Sequence, residues 1–195
     1  VRFSITEDRS SIVRDRLNML LVNGFQGLLL VFLVMWLFFQ GRFAFWVAMG
    51  LPVSFMGALF MMQLLGLTIN MITMVALLIA IGLLMDDAIV ISENIATHLR
   101  QGKSAFNAAI DGTQQVSAGV ISSFLTTIAV FTPLAFLSGD MGQVLQFIPM
   151  VLILVLAVSL IEAFLILPHH LAHALKYQSQ NVSRFRQWFD QSLDN

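Results

Sequence analysis

Five long apolar stretches limit the folds open to this chain more than any other feature. A helix needs roughly 20 apolar residues to cross about 30 Å of hydrocarbon at about 1.5 Å per residue. Because no water reaches the hydrocarbon, the backbone polar groups of such a stretch need partners within the protein, which favours helices. The expected spans are residues 20–39, 43–65, 69–91, 116–137 and 144–167. The sequence therefore predicts an all-α fold, a polytopic membrane bundle of five transmembrane helices.

The composition agrees with a membrane protein and argues against several other classes. Hydrophobic residues make up 58% of the chain and charged residues only 11%, against about 25% charged residues in a typical soluble domain. No basic stripe is present that would bind nucleic acid. The chain has no cysteine, which excludes disulfides, thiolate metal sites and cysteine nucleophiles. We predict no cofactor and no metal.

Most of the spans are joined by short connections. The expected connections are residues 41–42, 66–68 and 138–142. Only 92–115 is longer, and it predicts a helical extension to Arg100 followed by a short helix that begins near residue 104. Gly112 is expected to end that short helix, because glycine is a poor helix former.

Three regions follow from this pattern. Residues 1–18 are expected to be the end of an extracytoplasmic linker and the start of the first helix, and residues 19–176 form the bundle. Residues 177–195 predict an amphipathic helix on the cytoplasmic membrane surface, with a solvated tail as the alternative. The chain starts with Val1 and shows no signal-peptide pattern, so we expect it to be part of a longer polypeptide.

The positions of Lys and Arg predict the orientation of the bundle. Connections 66–68 and 138–142 contain no basic residue. All basic residues after the first span fall on the other side: Arg42, Arg100, Lys103, Lys176, Arg184 and Arg186. Basic residues favour the cytoplasmic side, so residue 1 is expected outside. Arg14 and Arg16 agree with this orientation only if residues 1–18 are attached to a large extracytoplasmic domain, because long domains are translocated largely regardless of their charge.

Asp86 and Asp87 are adjacent acids inside an apolar run that has no other charge before Glu93. An ionised Asp at the centre of a membrane helix costs roughly 2.5–3.5 kcal/mol on insertion scales, so such residues usually serve proton relays, ion sites or transport paths. Neighbouring carboxylates titrate as a pair. No Lys or Arg lies within the five spans, so a basic partner has to come from other sequence. The pair predicts a proton relay.

Asp87 also belongs to a stripe of small and polar residues along one helix face. The stripe consists of Thr73, Ala76, Ala80, Asp87 and Asn94. Small residues let another helix backbone approach closely. We therefore expect this face to contact a partner helix, with Asp86 at the edge of the contact. Gly82, four residues before Asp86, leaves the adjacent face of the helix without a side chain at that point.

Other polar residues within the spans offer both functional and structural interpretations. Glu162, Ser122, Ser123 and Thr126 are a possible proton path, although hydrogen bonds between helices explain them equally. His169 and His173 are spaced to share a metal ion, or to interact with the negative end of a helix dipole. Pro52 and Pro149 are expected to kink their spans.

Several functions compete for the aspartate pair. It could hold a helix contact through hydrogen bonds, bind sodium in a sodium-coupled transporter, or belong to a non-catalytic assembly or channel subunit. An intramembrane aspartyl protease needs acids on facing helices, and a prenyltransferase needs spaced aspartates that bind magnesium. Neither pattern is present, so we expect a protein that is not an enzyme.

Four segments together resemble the resistance-nodulation-division (RND) superfamily. They are Leu30–Gln40, Ile69–Met74, Ala80–Val90 with Glu93 and Asn94, and Phe131–Phe136. The resemblance is strongest to the acriflavine-resistance type of multidrug efflux pump, and Gly82 followed by Asp86 and Asp87 is its most specific element. It covers the second to sixth transmembrane helices of the family's first half. The histidine-rich segment 167–173 departs from the family pattern.

The resemblance implies a function and an assembly. The chain would be half of a two-fold repeat transporter in the bacterial inner membrane, driven by the proton motive force. Asp86 and Asp87 would be its proton-relay residues, paired with a lysine from the second half. The resemblance also implies export of drugs or amphiphilic compounds, a homotrimer, a periplasmic adaptor and an outer-membrane channel.

Overall fold

A computed structural model describes residues 9–39 and 41–176 of the chain. In this part the chain is helical and contains no strand, and five helices are long and apolar enough to cross a membrane. The prediction of an all-α bundle with five membrane-spanning helices is confirmed. Residues 1–8 and the expected surface helix of 177–195 lie outside the described residues.

The helices follow the apolar stretches closely, and several run past them. Their bounds are α1 Arg9–Phe38, α2 Gly41–Leu64, α3 Met71–Arg100, α4 Ala105–Phe131, a 3-10 turn Thr132–Phe136, α5 Gly139–Leu145, α6 Phe147–Ile161, a π-helical turn Glu162–Ile166, and α7 Leu167–Lys176. Residues 41–42 are thus the start of α2 rather than a connection. Most of 138–142 is the start of α5.

The start of α3 is fixed by a capping box. The Asn70 Oδ1 accepts hydrogen bonds from the backbone N–H groups of Ile72 and Thr73 at 2.9 and 3.0 Å. The Thr73 Oγ1 in turn accepts from the Asn70 N–H at 2.8 Å. These bonds satisfy donors that have no partner inside the helix, so the register of α3 is set at its first turn.

Gly112 does not end a short helix, and that prediction is wrong. Helix α4 runs without a break from Ala105 through this position. A Cβ added at Gly112 would lie 2.8 Å from the Ile95 Cα. The glycine therefore allows α3 and α4 to cross at close range, which offsets its poor helix propensity.

Helix α3 lies at the centre of the bundle. It packs against α1, α2, α4 and α6, and its residues Ala76, Ala80 and Ile91 are fully buried. The small side chains on the first half of α3 let the neighbouring helices approach. Asp86 and Asp87 therefore lie on the central helix rather than on a peripheral one.

The last span contains two irregularities caused by proline. Pro149 has no N–H to donate to the carbonyl of Leu145, and the helix is interrupted at Gln146 between α5 and α6. Pro168 likewise cannot donate to the carbonyl of Phe164. A π-helical turn precedes it, in which the Leu167 N–H donates to the Glu162 carbonyl. The extra residue relieves the clash between the proline ring and the preceding turn.

Candidate functional site

The two aspartates lie about midway along α3. The Asp86 side chain is exposed and that of Asp87 is half-buried. Within the described part of the chain, neither carboxylate takes part in a hydrogen bond or an ion pair.

The small-and-polar stripe faces neighbouring helices as expected. Thr73, Ala76 and Ala80 are fully buried, and the Asn94 Nδ2 donates to the Gly112 carbonyl on α4 at 2.7 Å. Asp87 belongs to this packed face. Gly82, one turn before Asp86, has no atom within 4 Å of an added Cβ. The side of α3 that carries Gly82 and Asp86 is therefore open in the described chain.

Glu162 is a third carboxyl group deep in the bundle. It is only 4% exposed, and its oxygens would lie 3.0 and 3.1 Å from a Cβ added at Gly50. The carboxyl group thus packs against bare backbone of α2, two residues before Pro52. Glu162 is the first residue of the π-helical turn.

Glu162 lies at about the same depth as Asp87. The Ser159 Oγ donates to the Leu84 carbonyl at 3.5 Å, so these two residues are level. Helices α3 and α6 run in the same direction, because each follows a connection at the end without basic residues. Asp87 lies three residues beyond Leu84 on α3, and Glu162 lies three residues beyond Ser159, which is about 4.5 Å along the axis in each case. Three carboxyl groups therefore share one layer of the bundle.

The hydroxyl residues of α4 are not brought to the aspartates within the described chain. Ser122, Ser123 and Thr126 are exposed, and the Thr126 Oγ1 donates to the Ser122 carbonyl of its own helix at 2.8 Å. Such a bond satisfies the hydroxyl locally. The proposed path along these residues stays a prediction.

The histidines of α7 form an aromatic cluster. His170 stacks on Trp46, with ring centroids 4.1 Å apart, and the rings of His169 and His173 are 5.0 Å apart. In the described residues no group of three or more metal-binding side chains occurs. The stacking on Trp46 of α2 gives His170 a packing role at this end of the bundle.

A polar cluster between α3 and α4 was not predicted from the sequence. Asn94, His98 and Gln115 are linked by hydrogen bonds: Gln115 Oε1 lies 3.2 Å from the Asn94 Nδ2 and 2.7 Å from the His98 Nε2. The spacing of Asn94 and His98 after Asp87 on one helix face is the signal that could have revealed it. We call these three residues the α3–α4 polar cluster.

Comparison with known proteins gives the family. The family model of AcrB, AcrD and AcrF matches residues 1–195. The chain belongs to this family. Its membership confirms the resemblance to the RND multidrug efflux pumps that the motif around Asp86 and Asp87 indicated.

Individual relatives agree with the family assignment. The chain is 36% identical over 169 residues to multidrug resistance protein MdtC of Salmonella schwarzengrund (strain CVM19633), and equally to the MdtC proteins of Salmonella newport (strain SL254) and Salmonella agona (strain SL483). The matched region is 86% of this chain and 16% of each relative. The chain thus spans about a sixth of the length of these relatives.

Proposed function

We propose that this chain is a transmembrane portion of a secondary efflux transporter that exports drugs or other amphiphilic compounds by proton antiport. The observation that carries the proposal is the pair of carboxylates Asp86 and Asp87 in the middle of the central helix α3, for which residues 9–39 and 41–176 supply no hydrogen-bond or ion-pair partner. Ionised acids at that depth are costly unless protonation is part of their task. Family membership supports the same function.

In the proposed mechanism the pair gains and loses protons as a unit. Two adjacent carboxylates in a medium of low dielectric repel one another, so the first proton that binds relieves the repulsion. A proton enters from the outside, where each charge moved through 100 mV yields about 2.3 kcal/mol. Departure of a nearby cation favours protonation, and its return favours release to the cytoplasm.

The basic partner is proposed to come from the second-half helices of the complete transporter. The open side of α3 at Gly82 and Asp86 is where such helices would approach. The lipid bilayer covers the remaining apolar surface. A homotrimer in the bacterial inner membrane, a periplasmic adaptor and an outer-membrane channel follow from family membership in this proposal.

Glu162 is the further member of the proposed proton path best supported by geometry, because it lies level with Asp87 and is almost fully buried. The path would include the exposed hydroxyl residues of α4 only if helices outside this chain cover them. These residues are Ser122, Ser123 and Thr126. The proposed orientation places the end that carries Arg42, Arg100 and Lys103 in the cytoplasm.

Asparagine variants of the pair test the function in cells that express the complete transporter. We expect Asp86→Asn and Asp87→Asn each to abolish drug resistance, because Asn keeps the size of Asp but its amide cannot gain or lose a proton near neutral pH. Asp140→Asn, at an exposed acid near the start of α5, is the matched control and should retain resistance. Membrane levels are compared by immunoblot.

The alternative of a non-catalytic assembly or channel subunit predicts a different result. Asn would satisfy a structural role, so both variants would confer full resistance at equal membrane levels. That outcome would remove the relay assignment.

A further inference from the structure

The α3–α4 polar cluster holds a histidine ring in one tautomer. The Gln115 Oε1 has two lone pairs and accepts from the Asn94 amide and from the His98 Nε2. The second Asn94 N–H donates to the Gly112 carbonyl, which fixes the orientation of the amide. Because His98 Nε2 is therefore the N–H donor, its Nδ1 carries the free lone pair and can accept a proton.

The free ring nitrogen is enclosed by the protein. The His98 Nδ1 is buried and has no hydrogen-bond partner within the described chain. A buried polar atom of this kind usually has a partner or a function. On α4, the Thr113 Oγ1 is also buried and without a partner in the described chain.

The cluster lies on the same face of α3 as Asp87. Asn94 is seven residues and His98 eleven residues beyond Asp87, close to two and three whole turns. At about 1.5 Å per residue His98 lies roughly 16 Å nearer the basic end. The His98 ring therefore lies on the Asp87 face, near the C-terminal end of α3.

Few charged groups surround His98. Asp111 on α4 acts on it electrostatically, and that carboxylate is bonded to the Lys103 Nζ at 2.6 Å. Arg100 donates to the Thr97 Oγ1. On α7, His170 stacks on Trp46, while His169 and His173 are exposed. Lys103 and Asp111 offset each other in charge, which leaves Arg100 as the nearby cation.

We propose that His98 passes protons between Asp87 and the cytoplasm, with Asn94 and Gln115 as positioning residues that hold its ring. The inference rests on the proposed relay at Asp87 and names the exit of the same path. Water that enters the interface in the complete transporter would carry the proton over the roughly 16 Å between the two groups. His98 accepts a proton at Nδ1 and becomes an imidazolium, then gives up the same proton from Nδ1 to water on the cytoplasmic side, while its Nε2–H stays bonded to the Gln115 Oε1.

Two variants of nearly equal shape separate proton transfer from packing. His98→Gln cannot titrate, whereas His98→Glu can carry a proton in a side chain of the same size. In everted membrane vesicles that contain the complete transporter, drug-dependent proton flux is followed with a pH-sensitive dye. We expect His98→Gln to lower the flux about tenfold or more and His98→Glu to retain most of it. His173→Gln, at an exposed histidine of α7, should match the wild type.

The outcomes decide between the two proposals. Wild-type flux in His98→Gln, or an equal loss in the Gln and Glu variants, would overturn the role of His98. Asp87→Asn is measured in the same vesicles and is expected to abolish the flux. If Asp87→Asn is inactive while His98→Gln is fully active, only the present inference fails. If Asp87→Asn retains the flux, the proposed function fails first.

Discussion

At the scale of single residues, the structure assigns different tasks to glycines that look alike in the sequence. Gly112 lies where a Cβ would meet the Ile95 backbone at 2.8 Å, whereas Gly27 has nothing within 4 Å. The first glycine serves helix packing and the second does not. Position in the bundle, rather than helix propensity, decides which of them can be replaced.

Gly112→Ala is therefore expected to destabilise the transporter, by about 1–3 kcal/mol for an overpacked contact. The backbone of Ile95 cannot move aside as a flexible side chain could. The measurement is thermal unfolding of the purified transporter in detergent. Gly27→Ala is the control and should leave the melting temperature unchanged or raise it, because alanine favours the helix. Equal melting temperatures for both variants would contradict the close crossing of α3 and α4.

Glu162 gives a second residue-scale prediction, which concerns transport rather than stability. Gln has the size of Glu and can replace a neutral carboxyl group in hydrogen bonding, but it cannot release a proton. We expect Glu162→Gln to reduce drug-driven proton flux roughly tenfold at an unchanged melting temperature. Asp140→Asn, at an exposed acid near the start of α5, removes a carboxyl group outside the bundle interior and should keep the wild-type flux. Wild-type flux in Glu162→Gln would show that this carboxyl group is only structural.

At the scale of helices, the sequence predicts what depends on hydropathy and misses what depends on contacts between helices. The five spans follow from apolar length alone, and the sequence also predicts the extension of α3 to Arg100. The π-helical turn was missed because it arises from Pro168 acting on the preceding turn of a helix that is apolar throughout. The α3–α4 polar cluster was missed because its hydrogen bonds join residues that are distant in sequence. The same reason explains the wrong prediction at Gly112.

The π-helical turn can be tested through Pro168. Without the proline ring, we expect residues 162–166 to return to α-helix in Pro168→Ala, which turns the two parts of the span by about 100° relative to one another. Glu162 would then leave its position against Gly50. The predicted result is a loss of drug-driven proton flux similar to that of Glu162→Gln.

The control for this variant is Pro133→Ala, at an exposed proline of the 3-10 turn after α4, which should keep its activity. Protein levels are matched by immunoblot. Full flux in Pro168→Ala would mean that the π-helical turn does not position Glu162 for transport.

At the scale of the whole molecule, the proposed orientation decides from which side the relay is loaded and emptied. Cysteine labelling with an impermeant maleimide tests it, and the absence of cysteine from this chain leaves a clean background here. Gln101→Cys and Met141→Cys replace exposed residues at opposite ends of the bundle. Position 141 should react in intact cells and position 101 only in everted vesicles. The reverse pattern would invert the direction of proton flow.

The bundle as a whole is proposed to couple drug export to protons through Asp86 and Asp87, with sodium as the competing ion. The most direct measurement is drug accumulation in proteoliposomes that contain the complete transporter, under an imposed pH gradient and without sodium. The account predicts accumulation by the wild type, none by Asp87→Asn, and none when a sodium gradient replaces the pH gradient. Accumulation that requires sodium, or that persists under the pH gradient in Asp87→Asn, would contradict it.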